Sequence, residues 1–548
     1  MKFDDVLHQI GGFGRFQKTL YVWICLPQIL LAFHMFVSIF TGAVPPHLCL
    51  STTTTWPSPA NQESGTDPSW SSGSSSIPSF NFSQVELACP AAGGASQQAN
   101  GVGNYSGQLD GELQGGGATG ECKGGWEYNR EIFSSTIVTE WDLVCDDAKL
   151  NNIGSFIYMF GLLVGAVLFG TLADKYGRRT IILVGLALQA LFGVGAAFAP
   201  TFYIYTMLRF VVGTTISAVI MNAFVLGTEW TGPKQRMLAG IITDYFFGVG
   251  YILLALLAYL IRDWRQLQLA ISAPGFVFVF YFWVLPKSAR WLLANRKHEE
   301  AMDLIQKAAL VNGRPLGHDI ELEQDQNIDK TLEKQRKHTV LDLVRTPKMR
   351  TQSLIVFYLW FVNVLVYYGL SLNISDFGIN IYLTQFIFGL VEMPARTITL
   401  FTLNRSRRIS QLAFLAVGGL ACLLTIFIPD DLSMVRTGLA MVGKFGITAS
   451  LSIIYVYSAE VFPTVVRQSG IGMGSMCARA GGAIAPIIYL LKRQSPKAPM
   501  VLFGLCPLVG AALTLLLPET ANMALPDTIE EVERAGQSSS NEKGTSCA

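Results

Sequence analysis

Gly170-Thr-Leu-Ala-Asp174-Lys-Tyr-Gly-Arg178-Arg179 is the stretch whose reading decides the fold. It is a short charged joint between two apolar runs, near residues 150–172 and 180–199. Each run matches the ~20 residues that a helix needs to cross a bilayer. A membrane protein with a tight charged turn between two spans is the simplest reading.

The same pattern extends along the chain. Spans are expected near 20–42, 150–172, 180–199, 203–225, 238–260, 266–285, 352–372, 379–402, 411–428, 434–457, 468–491 and 499–517. Composition agrees, with 14% charged residues in 548 against roughly 25% in soluble domains. A net charge of +1 gives no reason to expect nucleic acid. The first span is not expected to be a cleaved signal, since it has no Ala-x-Ala site and follows Gly11-Gly-Phe-Gly-Arg-Phe-Gln17, which reads as a folded element.

The fold class is therefore an all-α membrane protein, with twelve transmembrane helices in two six-helix halves and a large cysteine-containing extracellular loop. Residues 1–42 are an N-terminal segment with the first span, 43–149 an extracellular loop and 150–285 spans two to six. Residues 286–351 are a cytosolic loop, 352–517 spans seven to twelve and 518–548 a cytosolic tail.

Orientation follows from lysine and arginine in the short loops. Lys175, Arg178 and Arg179 follow span two, Lys234 and Arg236 span four, and Arg405, Arg407 and Arg408 span eight. Arg262, Arg265, Lys492, Arg493 and Lys497 run against the rule, but the balance places both termini in the cytosol. The 43–149 loop is then outside. Its four cysteines, Cys49, Cys89, Cys122 and Cys145, can pair there. Asn81-Phe-Ser and Asn104-Tyr-Ser are glycosylation acceptors on the same side.

The two halves repeat one another. Glu229-Trp-Thr-Gly-Pro-Lys-Gln-Arg236 ends span four, and Glu460-Val-Phe-Pro-Thr-Val-Val-Arg467 ends span ten. The Gly170–Arg179 joint has a counterpart in Arg405-Ser-Arg-Arg408, where Leu403 or Asn404 replaces Asp174. Two related bundles suit alternating access, one rocking against the other around a midplane site. In that scheme Asp174, Arg178, Arg179, Glu229, Arg236, Glu460 and Arg467 form gates that clasp helix ends in one state and release them in the other. The competing reading is simple positive-inside charge. It accounts for the arginines but not for the carboxylates beside them.

Gly-x3-Asp-x2-Gly-Arg-Arg resembles the loop signature of the major facilitator superfamily. Pro286-x-Ser-Ala-Arg290-Trp-Leu, Glu460-x2-Pro-Thr-x2-Arg467, Pro518-Glu-Thr520 and a four-cysteine loop after span one resemble its organic cation/anion/zwitterion branch, solute carrier family 22. The resemblance runs from Phe3 to about Thr528. It implies a twelve-helix transporter of organic ions. Two departures stand out: Lys287 replaces the glutamate usual after Pro286, and Gly-Arg-Arg becomes Arg-Ser-Arg-Arg in the second half.

Charge at membrane depth points to the substrate. Arg479 lies mid-span in Gly472-Met-Gly-Ser-Met-Cys-Ala-Arg-Ala-Gly-Gly482. A guanidinium there cannot lose its proton and is costly, by ~3 kcal/mol or more, so it faces a partner or a water-filled pathway. Glu392 and Arg396 are four apart on one helix face. Lys444 lies in span ten and Asp244 in span five. The second half thus holds three cations, Arg396, Lys444 and Arg479, against Glu392, which favours an anionic substrate. The alternatives are structural pairs: Arg479 with Glu392, or Lys444 with Glu392 or Glu460. Trp360, Tyr367, Tyr368, Tyr455, Tyr245 and Phe247 offer aromatic walls, and His34 is a histidine inside a span.

The resemblance sharpens the sign. Arginine at position 479, a basic residue at 396 and the Tyr367-Tyr368-Gly pair are similar to the anion carriers of the family. Glu392 is similar to the cation carriers. The stretch Tyr367–Arg396 resembles the member 13 type, associated with urate and nicotinate exchange. Phe224–Glu229 and Ile261–Trp264 resemble the carnitine members.

The expectation is a plasma-membrane organic anion transporter, an exchanger of small monocarboxylates, nicotinate or urate for a counter-anion. It would work in the bilayer as a monomer without cofactor, metal or nucleic acid. The alternatives are a carnitine or organic cation transporter of the same family and a non-transporting membrane sensor. An enzyme is not expected: no Walker loop follows a strand, and no histidine–cysteine cluster has metal spacing.

Overall fold

The computed structural model describes residues 3–49, 122, 125–232, 235–315, 340–374, 380–521, 523, 526 and 528–534. Cys89, Asn81 and Asn104 lie outside the described residues. Among those described, eleven helices are long and apolar enough to cross a membrane, and Ala498–Thr514 is a shorter apolar twelfth.

The first half holds α1 (Arg15–Phe36), α2 (Ala148–Tyr176), α3 (Arg178–Ala197), α4 (Phe202–Trp230), α5 (Arg236–Leu260) and α6 (Trp264–Ser272). The second holds α7 (Pro347–Leu372), α8 (Ile381–Leu403), α9 (Arg407–Leu424), α10 (Ser433–Val461), α11 (Arg467–Tyr489) and α12 (Ala498–Thr514). The sixth span is not one α-helix: it tightens to a 3-10 helix over Ala273–Phe280, where Pro274 supplies no amide, and regains an α turn at Tyr281–Val284.

Helices in lipid gain little from hydrophobic burial against each other, so close backbone approach matters more. Gly161 and Gly165 of α2 illustrate this. A Cβ at either would come within 2.5 and 2.3 Å of the carbonyl oxygens of Phe210 and Thr214 on α4. The outward faces are apolar and open, as at Leu191, Phe276, Phe401 and Leu420.

The halves meet along α2 with α11 and α5 with α8. One end of the bundle carries the Gly170–Arg179 joint and is called the basic end; the other carries the long loop and is called the loop end. At the loop end His47–Cys49 (β1) pairs antiparallel with Trp126–Tyr128 (β2), and Cys49 is bonded to Cys122. Cys145 is also disulfide-bonded. The returning chain is anchored by Glu140, which accepts from Trp264 Nε1 at 2.6 Å and from the Arg265 guanidinium.

The loop end is closed across the two halves by aromatic contacts. Tyr382 of α8 stacks on Phe40, just beyond α1, with centroids 5.4 Å apart and planes at 10°. Phe133 and Tyr259 pack on the same ring, and the Tyr382 hydroxyl donates to the Ile132 carbonyl at 3.2 Å.

At the basic end, the charged pairs of Arg178 and Arg407 lie within their own halves. Arg178 meets Asp174 at 3.0 Å and Glu229 at 3.4 Å. Its counterpart Arg407 meets Glu460 at 3.0 Å. Each glutamate at the end of the fourth helix of a half therefore pairs with the arginine at the start of the third. Glu460 does not pair with Arg467 seven residues on, since Arg467 Nε donates to the Phe462 carbonyl at 3.1 Å. The Arg236 side chain lies outside the described residues.

Candidate functional site

Arg479 sits at the middle of α11, and the glycines around it set its surroundings. A Cβ at Gly474 would lie 2.8 Å from the Trp360 ring, and one at Gly482 would lie 3.0 Å from the Tyr368 ring. The missing side chains let two aromatic residues of α7 close on α11, above and below the arginine. Trp360 is fixed by donating to Ser458 Oγ at 2.8 Å, and Tyr455 stands edge-on to it at 4.3 Å. Tyr455 and Tyr368 are the electrostatic neighbours of the Arg479 guanidinium. No carboxylate pairs with Arg479 among the described residues, and its Nε is buried without an acceptor.

The aromatic wall continues into the first half. Tyr368 donates to Met35 Sδ at 3.6 Å and lies 6.2 Å from Phe36, which in turn meets Phe247 at 5.9 Å. Rings from α1, α5, α7 and α10 thus form one continuous wall that begins at Arg479.

Four other membrane-depth charges form a separate chain. Lys444 Nζ lies 3.1 Å from Glu392 Oε1, donates to Ser371 Oγ at 2.5 Å, and sits 3.2 Å from the Tyr367 ring centroid. The Tyr367 hydroxyl donates to the same carboxylate. Glu392 Oε2 is 3.6 Å from Arg396, and Arg396 reaches Asp244 Oδ2 at 2.6 Å. Lys444 and Glu392 are fully buried, so each needs the other: a lone buried charge costs far more than a paired one. Two cations and two anions cancel within this chain, and Arg479 lies outside it with no carboxylate partner among the described residues.

A match to the family model described as "Sugar (and other) transporter" covers residues 123–533. Human "Solute carrier family 22 member 13" is 41% identical over 97% of this chain and 93% of its own length. "Solute carrier family 22 member 6-A" of Xenopus laevis is 38% identical, covering 97% and 94%. The "Organic cation transporter protein" of Drosophila melanogaster is also 38% identical, covering 98% and 95%. The chain belongs to solute carrier family 22. Its fold is that of the major facilitator transporters: the inward-open E. coli xylose transporter XylE superposes with a TM-score of 0.56 at 16% identity, over 71% of this chain and 90% of that one. This solute carrier is a membrane transporter of organic ions and not an enzyme.

Within this family 22 chain, the residues singled out in the sequence separate into groups. Arg479, Trp360, Tyr368 and Tyr455 come together, and Phe247 joins them through Phe36. Lys444, Glu392 and Arg396 form the neutral chain with Asp244, and Tyr367 joins it by donating to Glu392. The Tyr245 hydroxyl shares a hydrogen bond of 2.5 Å with Thr397 Oγ1, another link between α5 and α8. His34 is buried inside the first half, beside Gly193 of α3, and its carbonyl accepts from Arg209.

Arg209 is a membrane-depth charge that the sequence reading passed over. It is buried on α4, lies over the Tyr158 ring at 4.2 Å and donates to the His34 carbonyl at 3.0 Å. The signal was there: an arginine inside the fourth expected span.

Proposed function

We propose that this transporter carries small organic anions across the plasma membrane by alternating access, as an exchanger. Small monocarboxylates, nicotinate or urate would be substrates, with a counter-anion returning. The observation that carries this reading is the charge balance: Lys444, Glu392, Arg396 and Asp244 cancel, and Arg479 remains with aromatic neighbours and no carboxylate partner among the described residues. An arginine can hold a carboxylate through two parallel N–H donors, and the rings of Trp360, Tyr368 and Tyr455 suit a flat organic body. Asp174, Arg178, Arg179, Glu229, Arg236, Glu460 and Arg467 act as gate charges at the basic end. By the positive-inside rule that end and both termini face the cytosol. One subunit contains the whole site.

A carnitine or organic cation transporter is the second reading. It is favoured by Asp244, whose side chain is 45% exposed although it lies within a span. Uptake of labelled urate, nicotinate, carnitine and tetraethylammonium by cells expressing the chain tests both. Uptake of urate or nicotinate alone supports the anion reading; uptake of tetraethylammonium or carnitine alone overturns it.

A further inference from the structure

The two halves repeat down to the joint at the basic end, and the carboxylate Glu519 of the second half has no counterpart in the first. In the second half, Glu519 of Pro518-Glu-Thr520 folds back over the start of α9. It accepts from the amides of Arg407 at 2.9 Å and Arg408 at 3.3 Å and from the Ser406 hydroxyl. In the first half, Pro286-Lys287-Ser288 follows the sixth span as Pro518-Glu519-Thr520 follows the twelfth. Lys287 therefore stands where Glu519 stands, facing the start of α3 at Arg178-Arg179. An ammonium cannot accept from those amides, and Lys287 turns instead to Glu300 at 2.7 Å.

What remains at this joint is a cavity of about 430 Å³. Arg178, Arg179, Lys287 and Lys297 line it. Arg178 is neutralised by Asp174 and Glu229, and Lys287 by Glu300. Arg179 meets no carboxylate among the described residues, and Lys297 makes no close ion pair there, its charge reaching Glu300 only from beyond contact distance. Arg179 donates to the Phe282 carbonyl and keeps its Nε buried without an acceptor, while Lys297 lies 6.0 Å from the Trp291 centroid. The twenty-residue helix α3 adds the positive end of its dipole. The other wall is apolar: Val184 and Phe282 line the cavity and are 43% and 59% exposed on the lipid-facing surface.

We propose that this cavity binds the phosphorylated headgroup of an anionic phospholipid, its phosphate taking the place that the Glu519 carboxylate takes in the second half. The positive lining selects the phosphate, the apolar wall admits the acyl chains, and the volume suits a phosphorylated sugar ring better than a bare phosphate. Given the topology proposed above, the site lies in the cytosolic leaflet, where such lipids reside. It is independent of which substrate is carried.

The test uses the purified full chain in nanodiscs of phosphatidylcholine, with or without phosphatidylinositol bisphosphate. Separate arms add soluble inositol trisphosphate or inorganic phosphate to the phosphatidylcholine discs. Lipid occupancy is read by native mass spectrometry and stability by thermal unfolding. The bisphosphate lipid should bind the wild type and raise its melting temperature. Arg179→Gln with Lys297→Gln should weaken that binding roughly tenfold or more. Lys287→Glu rebuilds the second-half arrangement. It should weaken binding as much while melting no lower than wild type in phosphatidylcholine alone, which separates a lost ligand from a lost fold. Equal lipid binding by wild type and variants, or no binding by any, overturns the proposal. So does an equal stabilisation by the soluble phosphates, which would make the site one for a soluble anion.

Discussion

Arg396 of α8 and Asp244 of α5 meet at 2.6 Å, and their contact is an ion pair between the two halves of the transporter. The Tyr245–Thr397 hydrogen bond lies beside it on the same two helices. Rocking one half against the other, as proposed above, would strain both contacts. Asp244 also neutralises a cation that an anionic substrate would otherwise attract. Asp244→Asn should therefore lower the KM for an organic anion about threefold to tenfold, as expected from freeing roughly 1 kcal/mol of attraction. Arg396→Gln should raise it. Initial-rate uptake with matched surface expression checks both, and a raised KM in Asp244→Asn contradicts the competition.

Glu519 leads to a prediction in pH. Burial pushes its carboxyl up, but hydrogen bonds from Ser406 and from the amides of Ala521, Arg407 and Thr520 outweigh that and hold it below the usual range. A carboxylate with a lowered native pKa stabilises the fold above its ordinary value of ~4.3, and that stabilisation is lost as pH falls through the lowered value. Thermal stability in detergent should fall on acidification below about pH 4.3. Glu519→Gln should remove part of that acid limb and cost about 1–3 kcal/mol near neutrality.

The gate charges allow a kinetic test. Asp174 is largely exposed and is held by Arg178 within its own half. Its removal should disturb the balance between end states more than it disturbs the site near Arg479. Asp174→Asn should reduce maximal flux several-fold while equilibrium affinity for substrate changes less than twofold, about 0.4 kcal/mol. Flux in proteoliposomes and ligand binding in detergent give the two numbers. A pure affinity loss at unchanged flux contradicts the gate role.

The elements that the sequence made legible are those that break a pattern. A twenty-residue apolar run announces a span, and an arginine or glutamate within one announces a site, because hydrocarbon makes either conspicuous. That brought out Arg479, Glu392, Lys444 and Arg396 before any coordinates. Partnership was not legible. Asp244 and Arg396 lie 152 positions apart, and their contact depends on how α5 crosses α8. Glu229 and Glu460 each precede an arginine by seven residues, yet the helix packing also brings Arg178 and Arg407 to them from another helix. Local spacing could not show that the first and second halves use the same long-range pair. Lys287 was visible as a departure, but its consequence rests on the cavity it leaves.

In the anion reading proposed above, Arg479 sets the charge of the substrate. If its guanidinium holds the substrate anion, Arg479→Ala should abolish anion uptake while the protein still reaches the surface. Arg479→Lys should restore only part of it, since an ammonium keeps the charge but loses the planar pair of donors. Removing one partner of a desolvated charge pair costs ~2–5 kcal/mol, which is a thirtyfold or greater loss of affinity. Arg479→Asp should go further and favour cations: the chain from Lys444 to Asp244 is neutral by itself, so the new carboxylate would set the local sign. The rival explanation is a structural pair with Glu392. That carboxylate is already engaged by Lys444 at 3.1 Å and Arg396 at 3.6 Å. Glu392→Gln added to Arg479→Gln should therefore leave uptake as low as in the single Arg479→Gln variant, or lower, with labelled nicotinate as the probe. Restored uptake in the double variant would show the two residues neutralising each other and remove Arg479 from the substrate site.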